Sequence, residues 1–595
     1  MRVADLDIQN FRGVRQGHIR FKKHAVLVGS NNAGKTTIIE ALTLLLGRDR
    51  LIRDLTEHDF HGSNPQPADR IRLVATITDF PGDDPALNID WFRDGRAVPK
   101  WLDEVTGKVN PTRDEPAWKL CCQIGSQAYF DRDTLTVETV RYFHDHDNPI
   151  DPFVEDSPVA VPSKLIQDFG FFLVRASRTW DRILSWGSEL FRRTVEAAAA
   201  QPSEAVLAQR DRLRNPESAI EKDPQIAPLI ASVNAEVARC IPSAPTLRLR
   251  VTNTDSRSVL DAVAPHFGVE GGNDVPVSRQ GNGLISLQGL LLLLELGRLR
   301  SQAGDGFIMA LEEPELHLPP ATQQQLVLRV QSLSSQTFTT THSPLIASLA
   351  DPTSVMMVRN TDGQLTAEPF LLAPLQHDAP NWLRKFFQHS RTDVLAALMH
   401  PFVLITEGRS DYHLIKAILK PLMLTQGWTD LATQIFALEV GVAPTEDAQV
   451  LETSNRLHRL HPNVCCLVDG DDAGIGYAKA LHGSKTPPSA VIRWTDGTTI
   501  EDAVSWILNG EQNTITALLG ELPNLPSKDL GGIVARLKDK KNDIVLYEAI
   551  ADAIASSAAC RQRASDLFAA LAKACSNQSS DRFKQAGDKT WVFQQ

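Results

Sequence analysis

Short apolar runs recur along this chain, and several end in a glycine-rich or acidic turn. Ala25-Val26-Leu27-Val28 runs into Gly29, and Phe307-Ile308-Met309-Ala310-Leu311 runs into Glu312-Glu313. Pro401 to Thr406 runs into Glu407, and Asn463 to Val468 runs into Asp469-Gly470-Asp471. Runs of this length, bounded by turn signals, predict buried strands. In open α/β sheets such strands present functional groups at their ends. Helical spacing follows two of them, at Thr36 to Leu42 and at Asp411 to Leu419. The stretch from Leu284 to Leu296, interrupted by Gln288, is too short to span a bilayer and predicts a buried helix. Thr76 to Asp151 is rich in Asp, Pro and Thr, with short alternations such as Leu135 to Val140, and predicts a β-rich lobe with long loops. Leu184 to Cys240 is rich in Ala, Glu, Arg and Leu. It predicts helices, including Glu196 to Ala200 and Ile230 to Val237, broken at Pro202, Pro216, Pro224 and Pro228. No heptads are sustained there, which excludes a long coiled-coil arm. Organisation restarts after Pro380, and no internal repeat or low-complexity segment is present.

Composition narrows the function classes. A chain of 595 residues predicts about three or four domains. With 42% hydrophobic and 22% charged residues it has the make-up of an ordinary soluble protein. A net charge of −11 excludes a surface coated in basic residues, so any DNA contact must be a local basic groove. The seven cysteines form neither CxxC pairs nor zinc spacings, and the start Met1-Arg2-Val3-Ala4-Asp5-Leu6 has no apolar signal core. Both features point to a reduced, cytoplasmic protein without a membrane partner.

Gly29-Ser30-Asn31-Asn32-Ala33-Gly34-Lys35-Thr36 is a phosphate-loop pattern in the strand–loop–helix setting the chemistry needs. Glycines such as Gly29 and Gly34 let the backbone close on phosphate. The amides from Asn31 through Asn32 to Thr37 face it at a helix start, Lys35 supplies charge, and the Thr36 hydroxyl reaches Mg²⁺. In the Glu312-Glu313-Pro314-Glu315 turn, Glu312 would hold that metal and Glu313 would polarise the attacking water. Ser278-Arg279-Gln280-Gly281-Asn282-Gly283 precedes the apolar helix, so Ser278, Gly281 and Gly283 could meet a γ-phosphate. Thr341-His342-Ser343-Pro344 places a histidine at a strand end. Taken in order, these elements resemble ABC-type ATPases. The opening Leu6 to Gly13, with Arg12, resembles the first strand and turn of their RecF/SMC branch. The resemblance implies that ATP is bound between two protomers, hence a homodimer or higher homo-oligomer. It also implies roles for Arg12 at the nucleotide and for His342 in catalysis.

Downstream, Glu407-Gly408-Arg409-Ser410-Asp411 precedes Asp469-Gly470-Asp471 by about 60 residues. Residues two apart in an extended chain share a face, so Asp469 and Asp471 can act together. Hard oxygen ligands of this kind suit Mg²⁺ or Mn²⁺, and paired ions would stabilise both oxygens of a phosphodiester in transfer. The arrangement resembles the Toprim domain. An ABC-type ATPase followed by Toprim resembles the OLD (overcoming lysogenization defect) family, whose relatives include the nuclease subunit of the Gabija anti-phage system. The resemblance implies Glu407, Asp411, Asp469 and Asp471 as metal ligands, with Glu501 of Ile500-Glu501-Asp502 as a later acid. It also implies a catalytic lysine at Lys541, with Lys538 and Lys540 as alternatives. The fold class is therefore α/β. The ATPase would occupy 1–165 and 246–390, a helical insert for dimerisation 166–245, and the Toprim domain 391–595. The function so implied is an ATP-regulated, metal-dependent DNA endonuclease in phage defence, with a UvrD-like helicase as a further possible partner. The alternative is a recombination or repair ATPase with inactive carboxylates. DNA preference, strandedness of cleavage, and whether ATP activates or inhibits stay open at this level.

Overall fold

The structure is a computed structural model. It describes residues 1–47, 54–93, 96–145, 151–153, 159–175, 186, 188–198, 203–241, 243, 246–268, 272–316, 319–426, 431–446 and 448–594. The chain forms two compact units. The larger comprises Val3–Leu45, Ile52–Val161 and Phe338–Gln595, and the smaller Met1–Arg2, Leu46–Leu51 and Pro162–Thr337. The architecture is mixed α/β, and no helix among the described residues is long and apolar enough to cross a membrane.

The larger unit holds two sheets. In the first, Val109–Asn110, Lys100–Leu102, Lys119–Asp131, Ile71–Thr78, Arg2–Phe11, Val14–Arg20, Gln364–Pro369, Val355–Thr361 and His24–Val28 follow one another, and Thr136–His144 pairs with Lys119–Asp131. The β-rich stretch is thus built into this sheet: Ile71–Thr78 and Lys119–Asp131 pair antiparallel over eight residues. The alternating strand begins at Thr136 instead of Leu135, because Leu135 takes a left-handed turn conformation, φ 56°. The second sheet runs Val440–Ala443, Phe402–Thr406, Val464–Val468, Ala490–Arg493, Thr590–Phe593, Phe583–Gly587, parallel except for its last pair. Its core is continuous with that of the first. Val26, Val28 and Met357 pack in one apolar cluster with Val403, Ile405 and Val464.

In the smaller unit Phe171–Val174 pairs parallel with Ile308–Glu312. The helices Glu189–Ala197, Ser203–Arg214 and Ala227–Cys240 fall where the Ala/Glu/Arg/Leu composition predicts them. Pro228 does not break the last of these. It sits in its first turn, where a missing N–H costs nothing. Ala199, Ala200 and Pro202 lie outside the described residues. The apolar helix extends over Asn282–Ala303 and is two-faced: Leu290, Leu293, Leu294 and Leu296 are buried, whereas Leu284 and Leu291 are exposed.

Candidate functional site

The phosphate loop belongs to the larger unit. Its strand His24–Val28 is buried and its helix Lys35–Leu46 buries Ile38, Ile39, Ala41 and Leu42. Gly34 takes φ 99°, and a Cβ at Gly29 would stand 2.4 Å from the Val358 carbonyl, so neither position accepts a side chain without movement. Lys35 is buried, and its Nζ donates to the carbonyls of Gly29 (2.8 Å) and Ser30 (2.9 Å). The ammonium is thereby held across the mouth of its own loop. Asn31, Asn32 and Thr36 are exposed, Asn32 with φ 62°, while Thr37 is buried. His342 is exposed just past the strand Gln336–Thr341, and Phe338 of that strand packs edge-on against Phe21.

Arg12 is less free than the resemblance implies. Its Nε is 3.0 Å from Oδ1 of buried Asp59, and its N–H donates to the Asp59 carbonyl. Asp59 is fixed in turn by a capping box with Thr56. Arg12 therefore stands as a fixed charge beside a cavity of about 820 Å³ lined also by His58, His61 and Ser63. Sequence reasoning passed over Asp59, which no motif marks.

The other ATP-site candidates belong to the smaller unit. Glu312 closes the fully buried strand Ile308–Glu312. Glu313 adopts a left-handed φ of 46°, an uncommon conformation for a non-glycine residue at a strand end. Ser278 is exposed, Gly281 is the N-cap of the 22-residue helix Asn282–Ala303, and Gly283 lies in its first turn.

Glu407 and Asp469 stand at the C-terminal ends of two adjacent parallel strands, with Ile405 opposite Cys466 and Thr406 opposite Leu467. Glu407 and Asp469 follow these strands directly, and the Asp469 N–H donates to Glu407 Oε2 at 2.8 Å. Asp411, in the first turn of the helix Arg409–Gln426, accepts from the Gly408 N–H (3.2 Å) and the Ser410 hydroxyl (3.3 Å). Glu501 is buried and accepts from the Thr499 hydroxyl at 2.5 Å. Its neighbour Asp502 instead closes the capping box of the helix Ile500–Leu508 and pairs with Lys538.

Burial and mutual repulsion dominate the electrostatics of this set. Burial, then the charges of Glu501 and Glu407, push Asp411 up to about 7. Burial and the charges of Asp411, Glu407, Glu501 and Asp471 push Asp469 to about 8. Glu407 is raised by burial and by Asp471, opposed by its bond from Asp469 and by the charge of Lys541. Asp469 Oδ1 is buried with no hydrogen-bond partner among the described residues. An orphaned carboxylate oxygen amid like charges is chemistry that a hard divalent cation would relieve. Among the described residues, no three Asp, Glu, His or Cys side chains yet converge at ligating distance of one ion.

Two expectations are refined here. Asp471 stands by the cluster, but its Oδ1 accepts from the Gly474 N–H (2.8 Å) as N-cap of the helix Asp472–His482. One oxygen is committed to that cap, so Asp469 and Asp471 are not equivalent. The three candidate lysines differ in their surroundings. Lys538 is engaged with Asp502, Lys540 lies 3.5 Å from Asp539, and the charge of Lys541 reaches Glu407. Sequence reasoning overlooked Glu446, buried after the strand Val440–Ala443 and bonded by Ser390 and Arg409. The signal was present, since Val440-Gly441-Val442-Ala443 is another apolar run leading to an acid.

The phosphate loop and the two acid-bearing strands share one more feature. A cavity of about 290 Å³ is lined by Gly29 to Ala33, by Leu398, His400 and Pro401 ahead of one strand, and by Leu460 to Asn463 ahead of the other. His461 bridges the two approaches: its Nε2 bonds the His400 carbonyl (3.0 Å), and its Nδ1 accepts from the Asn463 N–H (3.2 Å). Burial holds His461 down at about 4, so it is neutral.

Comparison with known proteins adds the following. The family described as AAA ATPase domain matches residues 1–84 and 184–347. The matched stretches contain the phosphate loop, the Ser278–Gly283 turn, the Glu312-Glu313 pair and His342. ATP binding by an ATPase of this class is supported accordingly. No curated protein matches the chain. Among solved structures, an SMC head bound to the C-winged helix domain of ScpA is 14% identical with a TM-score of 0.31, covering 62% of this chain and 97% of that one. The SMC head domain from Thermotoga maritima is 15% identical, TM-score 0.26, with 62% and 99% covered. Stu0660 of Streptococcus thermophilus is 10% identical, TM-score 0.30, with 66% and 85% covered.

Proposed function

We propose that this protein is an ATP-regulated, divalent-metal-dependent DNA endonuclease. The observation that carries the reading is that Glu407 and Asp469 stand bonded side by side after two adjacent parallel strands, within electrostatic reach of Asp411, Glu501 and Lys541, with Asp469 Oδ1 without a hydrogen-bond partner among the described residues. Glu407, Asp411 and Asp469 would hold the metal, with the uncommitted oxygen of Asp471 and with Glu501 behind them. When bound, the metal supplies Lewis-acid charge to a phosphodiester. Lys541 then contributes a positive charge where negative charge develops on the scissile phosphate. At the nucleotide, Lys35 and the loop amides would orient the phosphates with Thr36 on Mg²⁺, and the resemblance gives Glu312 a metal-holding role, Glu313 a water-polarising role and His342 a catalytic one. The Ser278–Gly283 turn would serve the nucleotide of a second protomer. Exposed Leu229, Val233 and Ile241 on and beside the insert helix Ala227–Cys240 supply apolar surface for such a dimer. The OLD-family resemblance extends the proposal to phage defence, with a UvrD-like helicase as partner.

The test is plasmid nicking in Mg²⁺ and in Mn²⁺ by the wild type, Asp469→Ala and Lys35→Ala, side by side. Nicking should vanish in Asp469→Ala and persist in Lys35→Ala, while ATP hydrolysis shows the reverse. Cleavage by purified Asp469→Ala would sink the nuclease assignment. The second reading, a repair-type ATPase with inactive acids, is favoured by the absence, among the described residues, of three acid, His or Cys side chains placed to hold one ion. It requires that the wild type neither nick DNA nor bind Mn²⁺ at these acids.

A further inference from the structure

Three segments of the larger unit meet beside the turn that carries Glu407 and Asp411. The first is the edge strand Val440–Ala443, which runs parallel to Phe402–Thr406 with Ala443 opposite Ile405. The two strands therefore end on the same side of the sheet. Glu446 stands three residues past the edge strand and is 4% exposed. The second segment is the start of the helix Arg391–Ala397, which lies against that strand. Gly441 makes the approach possible, since a Cβ there would stand 2.3 Å from the Ala397 carbonyl. Ser390, fully buried just ahead of this helix, donates its hydroxyl to Glu446 Oε1. The third segment is the turn itself. Arg409 lies two residues after Glu407 and two before Asp411. Its Nη1 is 3.5 Å from Glu446 Oε1, and its Nη2 donates to the Ser390 hydroxyl oxygen at 3.3 Å.

We infer that Glu446 is a positioning residue of the metal site, holding Arg409 and, through it, the turn that presents Glu407 and Asp411. The inference rests on the nuclease reading above and adds to it a residue outside the ligand set. Inside the turn, the Thr406 hydroxyl donates to the Gly408 carbonyl (2.8 Å) and the Gly408 N–H to Asp411 Oδ2 (3.2 Å). Those bonds set the shape of the turn. Its place above the sheet is set from the strands on either side. Asp469 on one flank donates its N–H to Glu407, and Glu446 on the other flank holds Arg409. Glu446 Oε1 receives both Ser390 and Arg409, so it faces donors and acts as an anchor. Charge-assisted bonds of this kind fix direction as well as distance. Without metal, Glu407 and Asp411 repel each other, and a turn carrying two like charges keeps its form only where something outside it resists. Residues that orient metal ligands in this way are worth about 10- to 100-fold in metal affinity or activity.

The experiment measures Mn²⁺ binding by the full-length protein, without DNA, from the electron paramagnetic resonance signal of the free ion. Plasmid nicking is followed beside it over a range of Mn²⁺. Glu446→Ala and Arg409→Ala should each weaken Mn²⁺ binding about 10- to 100-fold. Nicking by both should fall at low Mn²⁺ and recover once Mn²⁺ saturates, the pattern of lost binding with turnover retained. Asp469→Ala removes a ligand and should not recover. Breaking one side of a buried pair also destabilises the fold. The double variant Arg409→Ala/Glu446→Gln leaves no unpaired charge and keeps an acceptor for Ser390. Its Tm should return toward the wild-type value while its Mn²⁺ affinity stays low. If Tm and Mn²⁺ affinity recover together, the pair is a structural contact and the inference is overturned. Wild-type Mn²⁺ affinity in Arg409→Ala overturns it too, and if Glu446→Ala alone loses affinity then Glu446 is itself a ligand. In those outcomes a wild type that binds Mn²⁺ and nicks plasmid leaves the nuclease reading standing. A wild type that neither binds Mn²⁺ nor nicks removes both readings together.

Discussion

Asp469 is the side chain on which most of the proposed chemistry turns, and its protonation gives a sign that can be checked. Its carboxyl is raised to about 8 in the fold and sits near 4 in an unfolded chain. Folded protein therefore holds this proton more tightly, which favours folding fully below pH 4 and is lost as pH rises toward 8. Asp469→Asn removes the repelled charge. It should stabilise the metal-free protein at pH 8.5 by about 1–2 kcal/mol, discounted for partial solvent screening, or a few degrees in Tm. At pH 4 the gain should disappear. Mn²⁺ at pH 8.5 should raise the wild-type Tm and leave Asp469→Asn unmoved. A destabilised Asp469→Asn at pH 8.5 would show that the carboxylate is compensated by something other than metal. The lysines supply a second contrast. Lys541→Ala should cost about 100- to 1000-fold in nicking, as loss of one preorganised donor does. Lys538→Ala should cost only the surface pair with Asp502, about 0.5 kcal/mol. Equal loss of nicking from both variants would show that the loop acts by general charge.

Strands and their ends were the most legible part of this chain. Four apolar runs identified His24–Val28, Ile308–Glu312, Phe402–Thr406 and Val464–Val468 within two residues, since a buried strand needs a side chain that fits on each face. Illegible were the partners that only tertiary folding supplies. Arg12 meets Asp59 across 47 residues, and Asp502 meets Lys538 across 36. Nothing local marks either pair. Asp471 shows the same limit in one residue. Alternation along a strand made it the twin of Asp469, whereas the helix that begins at Asp472 uses it as a cap. Those two roles separate by substitution. Asp471→Ala should lose the cap, about 1 kcal/mol, and lose nicking. Asp471→Asn keeps an acceptor for the Gly474 N–H, so stability should stay near wild type while nicking still falls. If Asp471→Asn nicks like the wild type, Asp471 is a cap and no more.

How nucleotide could govern cleavage is a property of the larger unit as a body. The strands Phe402–Thr406 and Val464–Val468 begin by the cavity that the phosphate loop lines and finish at Glu407 and Asp469. Five residues of strand span about 16 Å, and both strands are buried in a core that also holds Val26 and Val28 of the phosphate-loop strand. Close-packed cores shift as pieces and do not absorb strain locally. A change in the loop at Asn31 and Asn32 on binding ATP would then be felt where the strands begin. His461 ties those beginnings to each other through the His400 carbonyl and the Asn463 N–H. Coupling between two sites amounts to about 1–3 kcal/mol, a factor of 5 to 150. The ratio of nicking with ATP to nicking without it should therefore depart from one in the wild type. In His461→Ala that ratio should return toward one, with ATP hydrolysis and ATP-free nicking each within about threefold of wild type. Because His461 stays neutral down to about pH 4, the wild-type ratio should hold constant from pH 6 to 8.5 once ATP-free nicking at each pH is divided out. An unchanged ratio in a folded His461→Ala protein would assign the coupling to a route that does not pass through this cavity.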